Sequence, residues 1–201
     1  TIELDGIITK FMGESAASRP RGDALTDVIF AGPSSRKPAR QAMVERAVEG
    51  VPLLSVDARE LARDKPSYTI DTLELMRAEM AADDQLFLLL GWDAFCGLPS
   101  WHRWQELLDH AHLVVSKRPG WQPDYPGEVA SLLARHQTRD VQDLHRHRQG
   151  HVWIADNLPI ELSATRLRAL LAAGQDPRYL LPAPVADYIR RHRLYQPSPS
   201  R

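Results

Sequence analysis

Apolar residues follow two alternating rhythms along the chain. Short runs of branched and aromatic residues occupy positions 27–32, 53–57, 85–91, 112–116 and 151–155, and each reads as a buried strand. The run Gln85-Leu-Phe-Leu-Leu-Leu-Gly91 does not alternate with polar residues. A strand covered on both faces has that character, so this one is predicted to be central. Between the strands, apolar residues recur at helical spacing: Ala42, Val44, Ala47 and Val48, then Leu73, Met76 and Met80, with similar segments near 100–111 and 163–173. These predict amphipathic helices. Gly50 and Gly174 follow two of them, where a left-handed C-terminal cap belongs. Strand and helix in alternation predict the α/β class, a parallel sheet with helices on both faces.

Two stretches break the rhythm. Positions 119–126 carry three prolines and a glycine and predict a loop; an irregular insertion is expected to continue from it to Gly150, with a helical patch at 128–135. The first 26 residues are mixed: 1–9 reads as a strand, and the polar, small residues of 13–23 read as a loop or disorder. No repeat interrupts the pattern, and a single domain over 1–195 with a tail at 196–201 is the expected organisation.

Composition narrows the partners. Of 201 residues, 43% are hydrophobic and 25% charged, and 25 basic against 26 acidic residues leave a formal net charge of -1. Such a balance supplies no field for nucleic acid or an anionic membrane. Small-molecule partners are expected instead. The longest apolar run, 86–90, is far shorter than the roughly 20 residues that span a bilayer. Cys96 is the single cysteine and has no internal disulfide partner. With no basic-then-apolar leader at the start, a reducing, cytoplasmic location is expected. All eight histidines lie between 102 and 192, so chemistry needing a histidine near the first strand has none to draw on.

Three segments could carry chemistry. Glu161-Leu-Ser-Ala-Thr-Arg-Leu-Arg-Ala-Leu-Leu171 follows a strand. With Ser163 as N-cap, its hydroxyl, that of Thr165, the free amides and Arg168 one turn on would form an anion cradle; a capped helix with solvated arginines accounts for the same residues. At the end of the presumed central strand, Gly91 and Asp93 occupy the edge where open α/β sheets bind ligands, and Asp93 could accept from a ribose. Ser100 is expected to cap the next helix, with Trp101 and His102 opening onto that crevice. Trp101 suits either stacking on a flat ring or core packing, whereas Trp104 and Leu108 read as core. Thirdly, Ser67 or Thr69 is expected to cap a helix, with Asp71 in its first turn. His136, His145, His147 and His151 have no cysteine company and read as a solvated basic loop; His110 and His112 read as capping or packing residues. No P-loop, dinucleotide fingerprint or nucleophile elbow is present.

In their order, five segments resemble the bacterial nicotinate-nucleotide adenylyltransferase family, whose members make deamido-NAD from nicotinate mononucleotide and ATP. They are Ser67-Tyr-Thr-Ile-Asp-Thr-Leu73; Gly91-Trp-Asp with Leu98-Pro-Ser-Trp-His-Arg-Trp104; Leu113-Val-Val-Ser-Lys-Arg-Pro119; Leu162-Ser-Ala-Thr-Arg-Leu-Arg168; and Pro184-Val-Ala-Asp-Tyr-Ile-Arg-Arg-His-Arg-Leu-Tyr195. The resemblance implies a Rossmann-like nucleotidyltransferase fold and transfer of the adenylyl group with Mg²⁺ accompanying ATP. It implies that Ser163, Thr165 and Arg168 hold ATP phosphates, and that Gly91 and Asp93 line the nucleotide crevice. It further implies that Trp101 stacks on the nicotinate ring, that amides near Thr69 and His102 receive its carboxylate, and that Arg118 approaches the mononucleotide phosphate, with Arg36 and Lys37 as further phosphate contacts. A homo-oligomer is compatible with the family. The family's opening motif, Gly-Gly-Thr-Phe-Asp-Pro-x-His-x-Gly-His, is not found in these 201 residues, and the catalytic residues are therefore unassigned. Two readings stay open: a family enzyme, or a nucleotide-binding protein of the same fold with impaired catalysis. On the stacking role, Trp101→Ala should weaken mononucleotide binding by about 1–3 kcal/mol, the scale of base–aromatic stacking; unchanged affinity by calorimetry would reassign Trp101 to packing.

Overall fold

The computed structural model describes residues 6–11, 26–28, 37–52, 54–60, 67–117, 125–155 and 164–195, with side chains from 39 onward except 164 and 165. The elements in chain order are β1 (Gly6–Phe11), β2 (Thr26–Val28), α1 (Lys37–Val48), β3 (Leu54–Val56), α2 (Thr69–Glu79), β4 (Gln85–Gly91) and α3 (Trp92–Cys96). After 3-10 turns at Leu98–Ser100 and Trp104–Asp109 come β5 (His112–Ser116), α4 (Gly127–His136), β6 (Gln137–Thr138), α5 (Val141–Arg146), β7 (Val152–Ala155), α6 (Ala164–Ala172) and α7 (Ala183–Arg191).

Five strands form one sheet in the order β1-β4-β5-β7-β6, and β2 and β3 form a parallel pair. The expected parallel arrangement holds from β4 through β5 and β7 to β6. β1 is the exception: it pairs antiparallel with β4, Gly6 opposite Leu90 and Phe11 opposite Gln85. The middle place in the order belongs to β5, not to the run at 85–91. That run lacks polar alternation because β4 is hydrogen-bonded on both sides and buries Leu86, Leu88 and Leu90 on one face and Phe87 on the other.

The core lies on the face that carries Leu86, Leu88, Leu90, Leu113, Val115 and Val152. Against it pack Ile70, Leu73 and Met76 of α2, Phe95 of α3 and Val129, Leu132 and Leu133 of α4. α1 packs on α7, where the Arg46 guanidinium sits 4.3 Å from the Tyr188 ring centroid. Gly50 and Gly174 have φ of 78° and 69°, as the cap reading requires. At Gly174 the amides of Gly174 and Gln175 return to the carbonyls of Leu171 and Leu170 at 3.1 and 3.0 Å, the hydrogen-bond pattern of a Schellman motif.

Two sequence expectations need correction. The helix expected over 100–111 is a 3-10 turn, a bend and a second 3-10 stretch. Pro99 tightens the first, and Arg103, at φ 51°, breaks any continuous helix. Ser100 is therefore no helix cap; its hydroxyl donates to the Gly97 carbonyl at 2.7 Å. The supposed irregular insertion is also ordered in its described part. It contains α4, β6 and α5, the last capped by Asp140, whose Oδ1 accepts from the Gln142 amide at 2.9 Å. A strand of two residues is too short to leave a period. The expected loop at 13–23, the end of the expected strand at 27–32, the loop at 119–126 up to residue 124 and the tail at 196–201 lie outside the described residues.

The loop after α5 is not simply solvated. Side-chain donors join this loop and the end of α5 to the segments that flank the amino ends of β4 and β5. Gln85 Nε2 reaches the His145 carbonyl at 2.7 Å, Gln149 Nε2 reaches Asp109 at 2.5 Å, and Arg77 reaches the carbonyls of His110, Asp84 and Arg148 at 2.6, 2.7 and 2.9 Å. Burial, then the neighbouring Arg148, lowers Arg77 to about 10. His112, fully buried, completes the seam. Its Nδ1 accepts from the His151 amide at 3.2 Å, so Nε2 carries the proton and donates to the His147 carbonyl at 2.9 Å. The ring of His151 stacks parallel at 5.6 Å. Packing, rather than capping, is thus the role of His112.

Burial pushes His112 down to about 4, with His151 and Arg77 adding repulsion and the His147 carbonyl opposing. An unfolded histidine protonates near 6.5, so between that pH and about 4 the unfolded chain binds the extra proton. Stability is accordingly retained above about 6.5 and lost as pH falls toward 4. Urea unfolding at pH 7.5 and 4.5 should show a loss on the order of 3 kcal/mol from this group that is absent from His112→Gln. An equal loss in the variant would place the sensitivity elsewhere.

Candidate active site

Gly91, Ser116 and Ala155 stand in register at the carboxyl ends of β4, β5 and β7. This is the edge at which open α/β sheets bind ligands. The chain passes from Gly91 directly into α3, with Asp93 exposed in its first turn and Trp92 and Phe95 buried beneath. A Cβ added to Gly91 would meet no atom within 4 Å. No neighbour in the described fold demands glycine there, and the backbone is open to close approach.

α2 begins at the same edge. Its C-terminal end is tied by Arg77 beside the amino end of β4, and its start meets the segment that follows α3 where the rings of Tyr68 and His102 lie 4.3 Å apart. The helix start is not capped as expected. Tyr68 occupies the N-cap position and provides no side-chain hydrogen bond, Thr69 lies one residue too far in, and Ser67 instead donates to the Glu60 carbonyl at 3.4 Å. The first-turn amides therefore have no side-chain acceptor among the described residues. Thr69 itself is only 5% exposed, and its Oγ1 is buried with no hydrogen-bond partner among the described residues. Asp71 falls in the first turn, as the sequence reading has it.

Trp101 is 8% exposed and belongs to the core cluster, with Trp104 packed against it and Leu108 buried beside it. His102 is exposed over Tyr68. Thr69, Gly91, Asp93, Trp101 and His102 are thus gathered on two helix starts and one turn at a single sheet edge. α6 is the element that follows the carboxyl end of β7; Thr165 lies in its first turn, and Arg168 is exposed one turn on. Ser163, Arg118 and Arg36 lie outside the described residues, and Lys37 is described in its backbone only, at the start of α1.

Two residues of this region escaped the sequence reading. Arg77 anchors the far end of α2. Arg103 joins α2 to the Trp101 turn by pairing with Glu74 at 2.8 Å and Glu106 at 2.5 Å. Hydrogen bonds to Glu106 and Glu74 hold the Arg103 guanidinium above its usual value, and Arg103 in turn holds the Glu106 carboxyl below the usual carboxylate range. Neither arginine stands in a local motif, because its partners come from distant stretches of chain. Among the described residues no group of three or more His, Cys, Asp or Glu is placed to hold a metal ion. No described helix is long and apolar enough to cross a membrane.

Comparison with known proteins agrees with this geometry. The cytidylyltransferase-like family matches residues 31–170. A probable nicotinate-nucleotide adenylyltransferase of Aeromonas hydrophila is 64% identical over 168 residues, covering 84% of this chain and 78% of the relative. One of Pseudomonas aeruginosa is 56% identical over 157 residues, covering 78% and 73%. Among solved structures, a Plasmodium falciparum nicotinic acid mononucleotide adenylyltransferase complexed with APC shares the fold, with a TM-score of 0.50 at 14% identity over 78% of this chain and 74% of that one. At these identities and coverages the chain belongs to the nicotinate-nucleotide adenylyltransferases, on a cytidylyltransferase-like fold.

Proposed function

We propose that this protein transfers the adenylyl group of ATP to nicotinate mononucleotide, giving deamido-NAD and pyrophosphate in NAD biosynthesis. A phosphate oxygen of the mononucleotide forms a bond to the α-phosphorus as the bond to the β-phosphate oxygen breaks and pyrophosphate leaves. The chain's own part is positioning and electrostatic stabilisation. The observation that carries this reading is the junction of the α2 start with the Trp101–His102 turn. It offers amides without a side-chain cap and a buried Thr69 hydroxyl without a hydrogen-bond partner among the described residues, which suit an anionic group next to an aromatic ring.

In this reading the open backbone at Gly91, with Asp93, receives the nucleotide, and the α6 start with Ser163, Thr165 and Arg168 receives its phosphates. Arg118, Arg36 and Lys37 are further phosphate contacts. Mg²⁺ arrives as the ATP complex. In nucleotide sites Mg²⁺ is usually held through one or two carboxylates, substrate phosphates and water. The single cysteine and neutral charge balance fit a cytoplasmic enzyme.

A second reading, nucleotide binding with impaired turnover, is favoured by one specific observation. β1 runs antiparallel to β4, so the residue ending it, Phe11, lies opposite Gln85 at the edge away from Gly91. A coupled assay decides between them: pyrophosphate release from ATP and nicotinate mononucleotide supports the enzyme, and tight mononucleotide binding without release supports the second reading. Thr69→Val tests the anion site itself. Removing a buried, unpaired hydroxyl should leave the ligand-free protein as stable or up to about 1–3 kcal/mol more stable, while calorimetry shows weaker mononucleotide binding. A variant less stable and unchanged in affinity would show that the hydroxyl serves the fold.

A further inference from the structure

Arg103 follows Trp101 and His102 directly, and its backbone is left-handed at φ 51° and ψ 36°. Glycine or asparagine adopts that conformation with less steric conflict. What arginine adds is a planar fork of donors. Its Nε and Nη2 donate to the two carboxylate oxygens of Glu106 at 2.9 and 2.5 Å, and Nη2 also donates to Glu74 Oε1 at 2.8 Å. Glu106 lies in the adjoining 3-10 stretch, whereas Glu74 lies on α2 beyond Thr69. The second contact, His102 on Tyr68, meets α2 just before Thr69. The turn is thereby held to α2 on both sides of Thr69, whose hydroxyl has no partner among the described residues. A half-exposed ion pair adds little to global stability, so the consequence of this one is register.

We propose that Arg103 is a positioning residue that, through Glu74, sets the spacing between the Trp101–His102 turn and the α2 N-terminus. It thereby governs how the two together hold the mononucleotide, without governing ATP. The ligand half of the proposal rests on the function proposed above; the clamp itself does not.

Two measurements on the full chain test them separately. Arg103→Gly suits the left-handed backbone but removes the fork, Arg103→Lys keeps the charge, and Glu74→Gln removes the charge of one partner without touching the turn. In the nucleotide-free protein, amide hydrogen exchange across 101–103 should quicken about ten-fold in Arg103→Gly and Glu74→Gln, and no further in the double variant, as for two residues of one interaction. Unchanged exchange overturns the clamp. In calorimetry both variants should bind nicotinate mononucleotide about ten-fold more weakly, a modest cost for a displaced positioning group. ATP affinity should stay within about two-fold, and Arg103→Lys should recover part of the loss. Equal weakening of both ligands, or of neither, overturns the positioning role. A wild-type chain that binds neither ligand overturns the functional reading, and the exchange result alone then decides the clamp.

Discussion

The parallel ladder joining β4, β5 and β7 sets Leu88, Leu113 and Val152 in one buried row, and the two edges of the sheet take opposite characters from that alignment. At the amino edge, Arg77, Gln85, His112 and Gln149 close the fold by donating side-chain hydrogen bonds to backbone carbonyls of the 109–151 segment and the turn before β4. At the carboxyl edge the same register lines up Gly91, Ser116 and Ala155, where helix starts present amides rather than carbonyls. A sheet buried along one face and sealed at one edge leaves the opposite edge as the place for a ligand.

The helix starts at that edge differ from ordinary ones in what they lack. α2 has no side-chain cap, and α3 begins on Gly91 without one. Natural helices usually satisfy these amides with Ser, Thr, Asp or Asn. A helix start without such a cap suits an anion, with the helix dipole adding attraction. The reversed β1 belongs to the same account. It supplies a hydrogen-bonded neighbour for β4 but sends its end toward the amino edge, away from the open amides.

The sequence was informative where a physical requirement is local. An unbroken apolar run such as 85–91 or 112–116 has few alternatives to a buried strand, and both were found at the expected bounds. Gly50 and Gly174 marked helix ends because left-handed backbone is local too. The 100–111 segment misled because its apolar spacing matches a helix while Pro99 and the left-handed Arg103 forbid a continuous one. Of the candidate site, Thr69 stands at a helix start and Gly91 and Asp93 at a strand end, where the sequence puts them, whereas the helix start expected at Trp101 and His102 is the bend after a 3-10 turn. The missing cap on α2 was not, since Ser67 and Thr69 both look like caps in one dimension.

What the sequence determined by itself was the α/β alternation, the buried strands and the residue types gathered at their ends, all of which follow from periodicity and short-range chemistry. Only the tertiary structure decided the direction of β1, the burial of Trp101 and His112, and the partners of Arg77 and Arg103. Those outcomes depend on contacts between segments far apart in the chain: Arg103 meets Glu74, and Arg77 meets the carbonyl of Arg148. Long-range pairings of this kind leave no period or motif behind, because the energy that selects them arises only once the sheet has brought both partners together.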